Sequence, residues 1–231
     1  DDDERMTVKE LTSAVRGKQG RAGNGNGEKV YRVVLQEKVD GTNVSVHFEE
    51  EWTPVLQKRS GLLGAGEAKQ YQMFRDWACN NLERLFVVCG VEHCLFGEWL
   101  WCEHGIHYNG LTSYFMAFDL LHKESGAFLA TPLLRERLGA AGIESPPLLL
   151  NREMTMAEIG RELESVAADA MAVSQLSTEG AMAEGVYVRI EDEATVLTRA
   201  KMRRATFESG REDFAKNIKC NELRSSRDQY M

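Results

Sequence analysis

Gln36-Glu37-Lys38-Val39-Asp40-Gly41-Thr42-Asn43 joins two runs in which apolar and polar residues alternate. Before it come Tyr31, Val33 and Leu35; after it come Val44, Val46 and Phe48. Period-two alternation marks half-buried strands, and Asp-Gly between two strands is a strong hairpin signal. The expectation is a hairpin-like pair of strands turning at Asp40-Gly41. Lys38 then ends the first strand, with carboxylate and amide groups around it. A lysine so placed suits nucleophilic work, because neighbouring cations and desolvation lower an amine's pKa until it attacks an electrophile such as phosphorus. On this motif alone, a solvated strand-end lysine beside a plain turn accounts for the residues equally well.

Outward from this stretch, the order of elements defines a fold class. Residues 17–29 are rich in Gly and Asn and read as a flexible loop. Residues 67–88 carry Ala68, Tyr71, Phe74, Ala78, Leu82 and Leu85 at helical spacing. Strand-like runs follow at 94–100 and 114–120. Thr131-Pro132 opens a short helix that Gly142 closes. Thr155 with Glu158 forms a capping-box pattern leading a second helix through Ile159, Leu163 and Val166. Two further strands are expected at 185–190 and 195–202. Single helices do not alternate regularly with strands, so the expectation is α+β with antiparallel sheets and flanking helices. The boundaries read as a flexible N-terminal segment over 1–29, one domain over 30–210 and a tail over 211–231.

Bulk properties narrow the function classes. The chain of 231 residues can bury a sizeable core, and 43% hydrophobic with 28% charged residues is ordinary for a globular protein. No uninterrupted apolar run approaches the length needed to cross a bilayer, and the acidic start lacks the apolar stretch of a secretory signal. The missing initiator methionine suggests a chain trimmed from a longer one. The odd number of cysteines, five, argues for a reducing compartment, cytoplasmic or nuclear. His93, Cys94, Cys102, His104 and His107 fall close together, but their spacing fits no ordinary zinc module. Net charge is −8, which argues against a passive nucleic-acid coat while allowing an enzyme with cations confined to one groove.

Five more stations carry chemistry: Gln57-Lys58-Arg59-Ser60-Gly61, Phe96-Gly97-Glu98-Trp99, Tyr114-Phe115-Met116-Ala117-Phe118-Asp119, Glu184-Gly185-Val186-Tyr187-Val188-Arg189 and Arg199-Ala200-Lys201-Met202-Arg203. Lys201 and Arg203 lie two apart in a strand and share a face, with Val196, Ala200 and Met202 expected on the core side. That face offers cations to something negative. A nucleotide's α-phosphate becomes electrophilic only when its oxygens are neutralised, and positioning plus electrostatics supply most of the rate. Carboxylate oxygen is a natural ligand for Mg²⁺, which makes Glu184 the candidate metal residue. Glu98 suits hydrogen bonds from ribose hydroxyls, and Phe118 suits stacking on a purine. Each station also has a plainer reading. Phe118 is a core aromatic by default, Glu98 a structural ion-pair member, the cations a solvated face, and His104 and His107 structural.

The ordered set KxDGxN, KRSG, FGEW, YFMAFD, EGVYV and AKxR resembles the covalent nucleotidyltransferase superfamily of ATP-dependent ligases and mRNA capping enzymes. It is most similar to RNA ligases of the phage T4 RNA ligase 2 type, over roughly residues 30–208. The resemblance implies the ATP-grasp-like nucleotidyltransferase fold of the DNA/RNA ligase superfamily, with ATP and Mg²⁺ or Mn²⁺ as cofactors. It implies that Lys38 takes AMP from ATP, that Glu37 meets the adenine edge, and that Asn43 supports the reacting phosphate. Arg59 would contact ribose or the RNA end, Glu98 the ribose, and Phe118 the adenine face. Glu184 would bind metal or the reacting centre, and Lys201 and Arg203 would clamp phosphates. The implied partners are RNA ends or a nicked duplex, engaged by a monomer with no membrane, with or without an accessory domain or protein that grips RNA. A DNA ligase, a capping guanylyltransferase and an inactive RNA-binding relative are the alternatives. Two departures stand out. Few residues follow Glu208, which implies an adenylation domain alone or a minimal ligase, and Arg203 stands where lysine is common.

Overall fold

A computed structural model describes residues 8–16, 18, 21–22, 28–207 and 218–224. In chain order the elements are α1 (Val8–Val15), β1 (Arg21–Ala22), β2 (Lys29–Lys38), β3 (Thr42–Glu50), β4 (Thr53–Lys58), β5 (Gly61–Leu62), α2 (Lys69–Asn80), α3 (Leu82–Cys89), β6 (His93–Trp99), β7 (Phe115–His122), α4 (Thr131–Ala141), β8 (Leu148–Thr155), α5 (Met156–Ala170), β9 (Gly185–Glu191) and β10 (Val196–Arg203). They form two five-stranded sheets. One runs β1-β2-β9-β10 with β8 also on β2, and the other runs β5-β4-β3-β6-β7. Every strand pairing is antiparallel, so the α+β architecture expected from the sequence is the one observed. No helix among the described residues is long and apolar enough to cross a membrane.

The hairpin expected at Asp40-Gly41 is absent. β2 pairs with β1, β8 and β9, whereas β3 pairs with β4 and β6. The chain therefore changes sheets between Lys38 and Thr42. Three contacts draw it across instead of back. Val39 is buried with Leu100, Tyr108 and Met116. The Asp40 amide donates to Tyr108 Oη at 2.8 Å, and Asp40 Oδ2 accepts from the Gly105 amide at 2.6 Å. An Asp-Gly pair fixes a local change of direction; which strand the exit segment pairs with is set by such distant partners.

The apolar face of each strand then decides the layers. Val33, Leu35, Val188 and Ile190 pack against Leu11 and Val15 of α1 and Ile159 and Leu163 of α5. Val44, Val46, Leu95 and Phe115 pack against Phe74 of α2, Leu85 of α3 and Leu134 of α4. The helices cover the outer faces, and the two inner faces meet across a cleft. The helix at Val8–Val15 lies within the segment expected to be flexible, and the remainder of residues 1–29 is largely outside the described residues. The single helix expected over 67–88 is two. Asn81 departs from helical geometry (φ −114°, ψ 22°), and its Nδ2 donates to the Trp77 carbonyl at 2.9 Å. The helix from Thr131 ends at Gly142 in the left-handed region, and Thr155 with Glu158 makes the full capping box. A register shift between Val196 and Thr198 puts Leu197, not Val196, beside the core with Ala200 and Met202.

Candidate active site

Strand register builds the site in rows. On the inner face of the first sheet, Lys38 lies opposite Gly185, which in turn pairs with Arg203. The next row is Gln36, Tyr187 and Lys201, and the row below is Val34, Arg189 and Arg199. From the second sheet, Asn43 and Glu98 are register partners on β3 and β6. Between the sheets lies a cavity of about 420 Å³ lined by Lys38, Asn43, Arg59, Glu98, Phe118, Tyr187 and Lys201, among others.

Lys38 Nζ lies 2.6 Å from Glu184 Oε2, and Glu184 Oε1 lies 2.8 Å from Arg203 Nε. Glu184 is buried, and loss of water raises its pKa above the usual carboxylate range despite the opposing pull of Lys38. Glu98 is partly buried and lines the cavity. Desolvation pushes it up to about 7, opposed by the Lys38 and Lys201 charges and reinforced by Glu184 and Asp40. Phe118 and Tyr187 face each other with ring centroids 5.9 Å apart and an interplanar angle of 42°. Burial pushes the Tyr187 hydroxyl up to about 12, so it stays protonated.

A buried ionic cluster locks the floor beneath these rings. Arg189 is fully buried, donates to Asp119 Oδ1 and to the Phe118 carbonyl, and stands 4.9 Å from the Tyr187 ring centre. Arg199 donates to the other oxygen of Asp119. Asp119 thus ties β7 of one sheet to β9 and β10 of the other. Two glycines admit close backbone contact beside the charged residues. A Cβ on Gly185 would stand 2.1 Å from the Met202 carbonyl oxygen, and one on Gly97 would stand 2.4 Å from the Phe115 ring. Glu184 and Glu98 therefore flank positions where strands and rings approach too closely for any side chain.

Of the residues singled out in the sequence, Lys38, Glu37, Asn43, Arg59, Glu98, Phe118 and Lys201 line the one cavity, and Glu184 with Arg203 joins it through Lys38. Glu37 is placed differently from its neighbours. Its carboxylate accepts from Ser174 Oγ and from the Gln175 amide, and burial raises its pKa. His93, Cys94, Cys102, His104 and His107 do not converge. His93 packs on His122, His107 Nδ1 is 3.0 Å from Glu103, and His104 Nε2 is 3.2 Å from Thr42 Oγ1 at the cavity. No group of three or more His, Cys, Asp or Glu side chains among the described residues is placed to hold a metal by itself.

Motif order and spacing assign no role to Gln36, Thr42, Gln70, Tyr187, Arg189 or Asp119. Period two held the clue for Gln36, two residues before Lys38, and for Tyr187, opposite Lys201. Thr42, Gln70 and His104 reach the cavity from separate segments, with Thr42 Oγ1 donating to Gln70 Oε1 at 3.1 Å.

The sequence model of one protein family, described as RNA ligase, matches residues 31–204. No curated protein matches the chain. Among solved structures, the Naegleria gruberi RNA ligase with PPi superposes with a TM-score of 0.56 at 14% identity, covering 87% of this chain and 54% of that one. A variant of that ligase with ATP and Mn gives a TM-score of 0.58 at 14% identity, covering 88% and 56%. Another variant, with AMP and Mn, gives 0.53 at 17% identity, covering 87% and 55%. The chain spans just over half the length of these relatives, and at such identities the likeness establishes the shared fold.

Proposed function

Because the chain belongs to the RNA ligase family, we propose that it is an ATP-dependent RNA ligase, or the adenylation domain of one, with residues 30–210 as the catalytic unit. Lys38 Nζ attacks the α-phosphorus of ATP, the bond to the bridging oxygen breaks, and pyrophosphate leaves. The amine loses its proton and AMP remains on Lys38 as a phosphoramidate. A 5′-phosphate oxygen of RNA then attacks the same phosphorus and releases Lys38. A 3′-hydroxyl finally attacks the activated 5′-phosphate, forms the phosphodiester and expels AMP.

The observation that carries this reading is convergence. Lys38, Glu98 and Lys201 line one nucleotide-sized cavity from three separate strands, and Glu184 is tied to it through Lys38. In this reading Phe118 and Tyr187 hold the base, Glu98 the ribose, Asn43 and Lys201 the reacting phosphate, and Arg59 the ribose or the RNA end. Arg203 holds Glu184 and adds charge beside the phosphates. Glu37 buttresses the wall through Ser174 and Gln175. Glu184 Oε2, 2.6 Å from Lys38 Nζ, is the acceptor at hand for the proton that Lys38 must lose, and burial, which raises its pKa, favours that transfer.

The donor set fits a divalent cation such as Mg²⁺ or Mn²⁺. The Glu184 oxygens are hard ligands, and such ions bind through one or two carboxylates plus substrate phosphates, not through a closed protein cage. Glu184 would hold it, and it would supply charge neutralisation at the phosphates.

Incubation with labelled ATP and Mg²⁺ tests the reading. The protein should gain one AMP, and Lys38→Ala should gain none. Labelling by GTP instead would indicate the capping reaction, and sealing of nicked DNA in preference to nicked RNA would reassign the substrate. A protein that stays unlabelled with saturating nucleotide and metal would leave only the inactive RNA-binding reading.

A further inference from the structure

Gln36 precedes Lys38 by two residues on the same face of β2, is only 2% exposed, and lines the cavity. Its Oε1 accepts from Arg189 Nε at 3.1 Å. A guanidinium carries donors only, so the amide oxygen has to be the atom that faces Arg189, and the NH₂ group turns the other way. Arg189 has no freedom to release it, being fully buried and tied to Asp119 and to the Phe118 carbonyl. Gln36 Nε2 is left buried with no hydrogen-bond partner among the described residues. A buried donor without an acceptor destabilises a fold, and such a group at a cavity calls for a ligand that completes it.

Register supplies the identity of that ligand. Gln36 pairs with Tyr187, whose ring faces Phe118 across 5.9 Å, and Tyr187 pairs with Lys201. Gln36 thus neighbours Tyr187 in register, one row from Lys38, and lines the same cavity as the Phe118 and Tyr187 rings. A planar ring system held at those faces would present its edge to the floor of the cavity. The neighbouring Glu37 is not free for this task, since Ser174 and Gln175 donate to its two oxygens.

We propose that Gln36 reads the base of the bound nucleotide, its Nε2 donating to an unprotonated ring nitrogen of a purine held at Phe118 and Tyr187. Asp119 and Arg189 act behind it as positioning residues that fix the amide's orientation. The assignment rests on the nucleotide-transfer reading above and adds to it the residue that selects the base.

Binding of ATP and of its 1-deaza, 3-deaza and 7-deaza analogues, measured by calorimetry with EDTA present to prevent turnover, tests this. Gln36→Glu keeps an acceptor toward Arg189 and removes the donor. Wild type should bind one of the three analogues about tenfold more weakly than ATP, the value of one hydrogen bond. Gln36→Glu should lose about the same factor on ATP itself and less than twofold more on that analogue. If the variant discriminates among the four ligands as wild type does, or if wild type binds all four equally, the assignment is wrong. Gln36→Met, which lacks the donor and carries no charge, should repeat the pattern should Gln36→Glu not fold by thermal melting. A wild-type chain that binds ATP with the expected analogue pattern but never labels at Lys38 would overturn the transfer reading and leave this contact standing. A chain that binds no nucleotide overturns both.

Discussion

Lys38 Nζ and Glu184 Oε2 stand 2.6 Å apart, joining the end of β2 to the residue before β9, with Arg203 on the far side of the same carboxylate. The pair places the candidate nucleophile and the candidate metal ligand in direct contact. Glu184→Gln retains one acceptor oxygen, enough for Lys38 or Arg203 but not both, and removes the charge and the proton acceptor. The expected outcome is a folded protein whose rate of labelling by ATP falls by about 10²–10³, the usual cost of removing one preorganised electrostatic group. Single-turnover labelling measures it, and a rate within twofold of wild type would remove Glu184 from the chemistry.

Glu98 makes the site pH-sensitive. Its folded-state pKa is about 7, above the ordinary carboxylate value of 4.5, chiefly through desolvation. The folded protein therefore holds a proton that the unfolded chain releases, so stability falls as pH rises from about 4.5 to 7 and stays reduced above that. Glu98→Gln removes this dependence. Its Tm should exceed that of wild type by a few degrees at pH 8, with the gap closing below pH 5. In the same window wild-type Glu98 changes from neutral to ionised. Labelling that needs an acceptor for ribose should rise toward pH 8 in wild type and lose that part of its rise in the variant. A melting series from pH 4.5 to 8.5 reads the first effect, and labelling at matched pH the second.

Gly185 holds β9 against β10 where a methyl group would stand 2.1 Å from the Met202 carbonyl oxygen and 2.8 Å from Arg203 Cα. Gly185→Ala must push the two strands apart between Glu184 and Arg203. The expected cost is about 1–3 kcal/mol of stability, the range for overpacking. Labelling should drop by about a hundredfold, since a displacement near 1 Å at reacting groups has that effect. Urea unfolding and single-turnover labelling measure the two separately.

The sequence made most of the fold legible because helices and strands here follow local rules. The capping box at Thr155 and Glu158 and the stop at Gly142 are both present in the structure, and each depends on residues within one turn. Asp40-Gly41 misled for the opposite reason. Its geometry is local, but Val39, Tyr108 and Gly105 decide that the chain crosses to another sheet. The site behaved likewise. Lys38, Glu98, Phe118 and Lys201 were legible from motif order and alternation, and all line one cavity. Gln36, Thr42 and His104 gain their positions from pairings across 60 or more residues, which no window along the chain exposes.

Asp119 and Thr155 provide a matched contrast between global locking and local capping. Asp119→Ala leaves the fully buried Arg189 without its carboxylate and frees Arg199 as well. An uncompensated buried charge costs about 3–5 kcal/mol. Because Arg189 also holds Gln36 and the Phe118 carbonyl, labelling should fall even in conditions where the variant remains folded. Thr155→Ala removes the hydroxyl that accepts from the Glu158 amide at 3.2 Å on the outer layer. It should cost about 1 kcal/mol, as loss of an N-cap does, and leave labelling at Lys38 unchanged. Chemical denaturation ranks the two variants, and labelling per folded molecule separates them. Equal loss of labelling in both would mean that general stability, not the Asp119–Arg189 lock, controls the cavity.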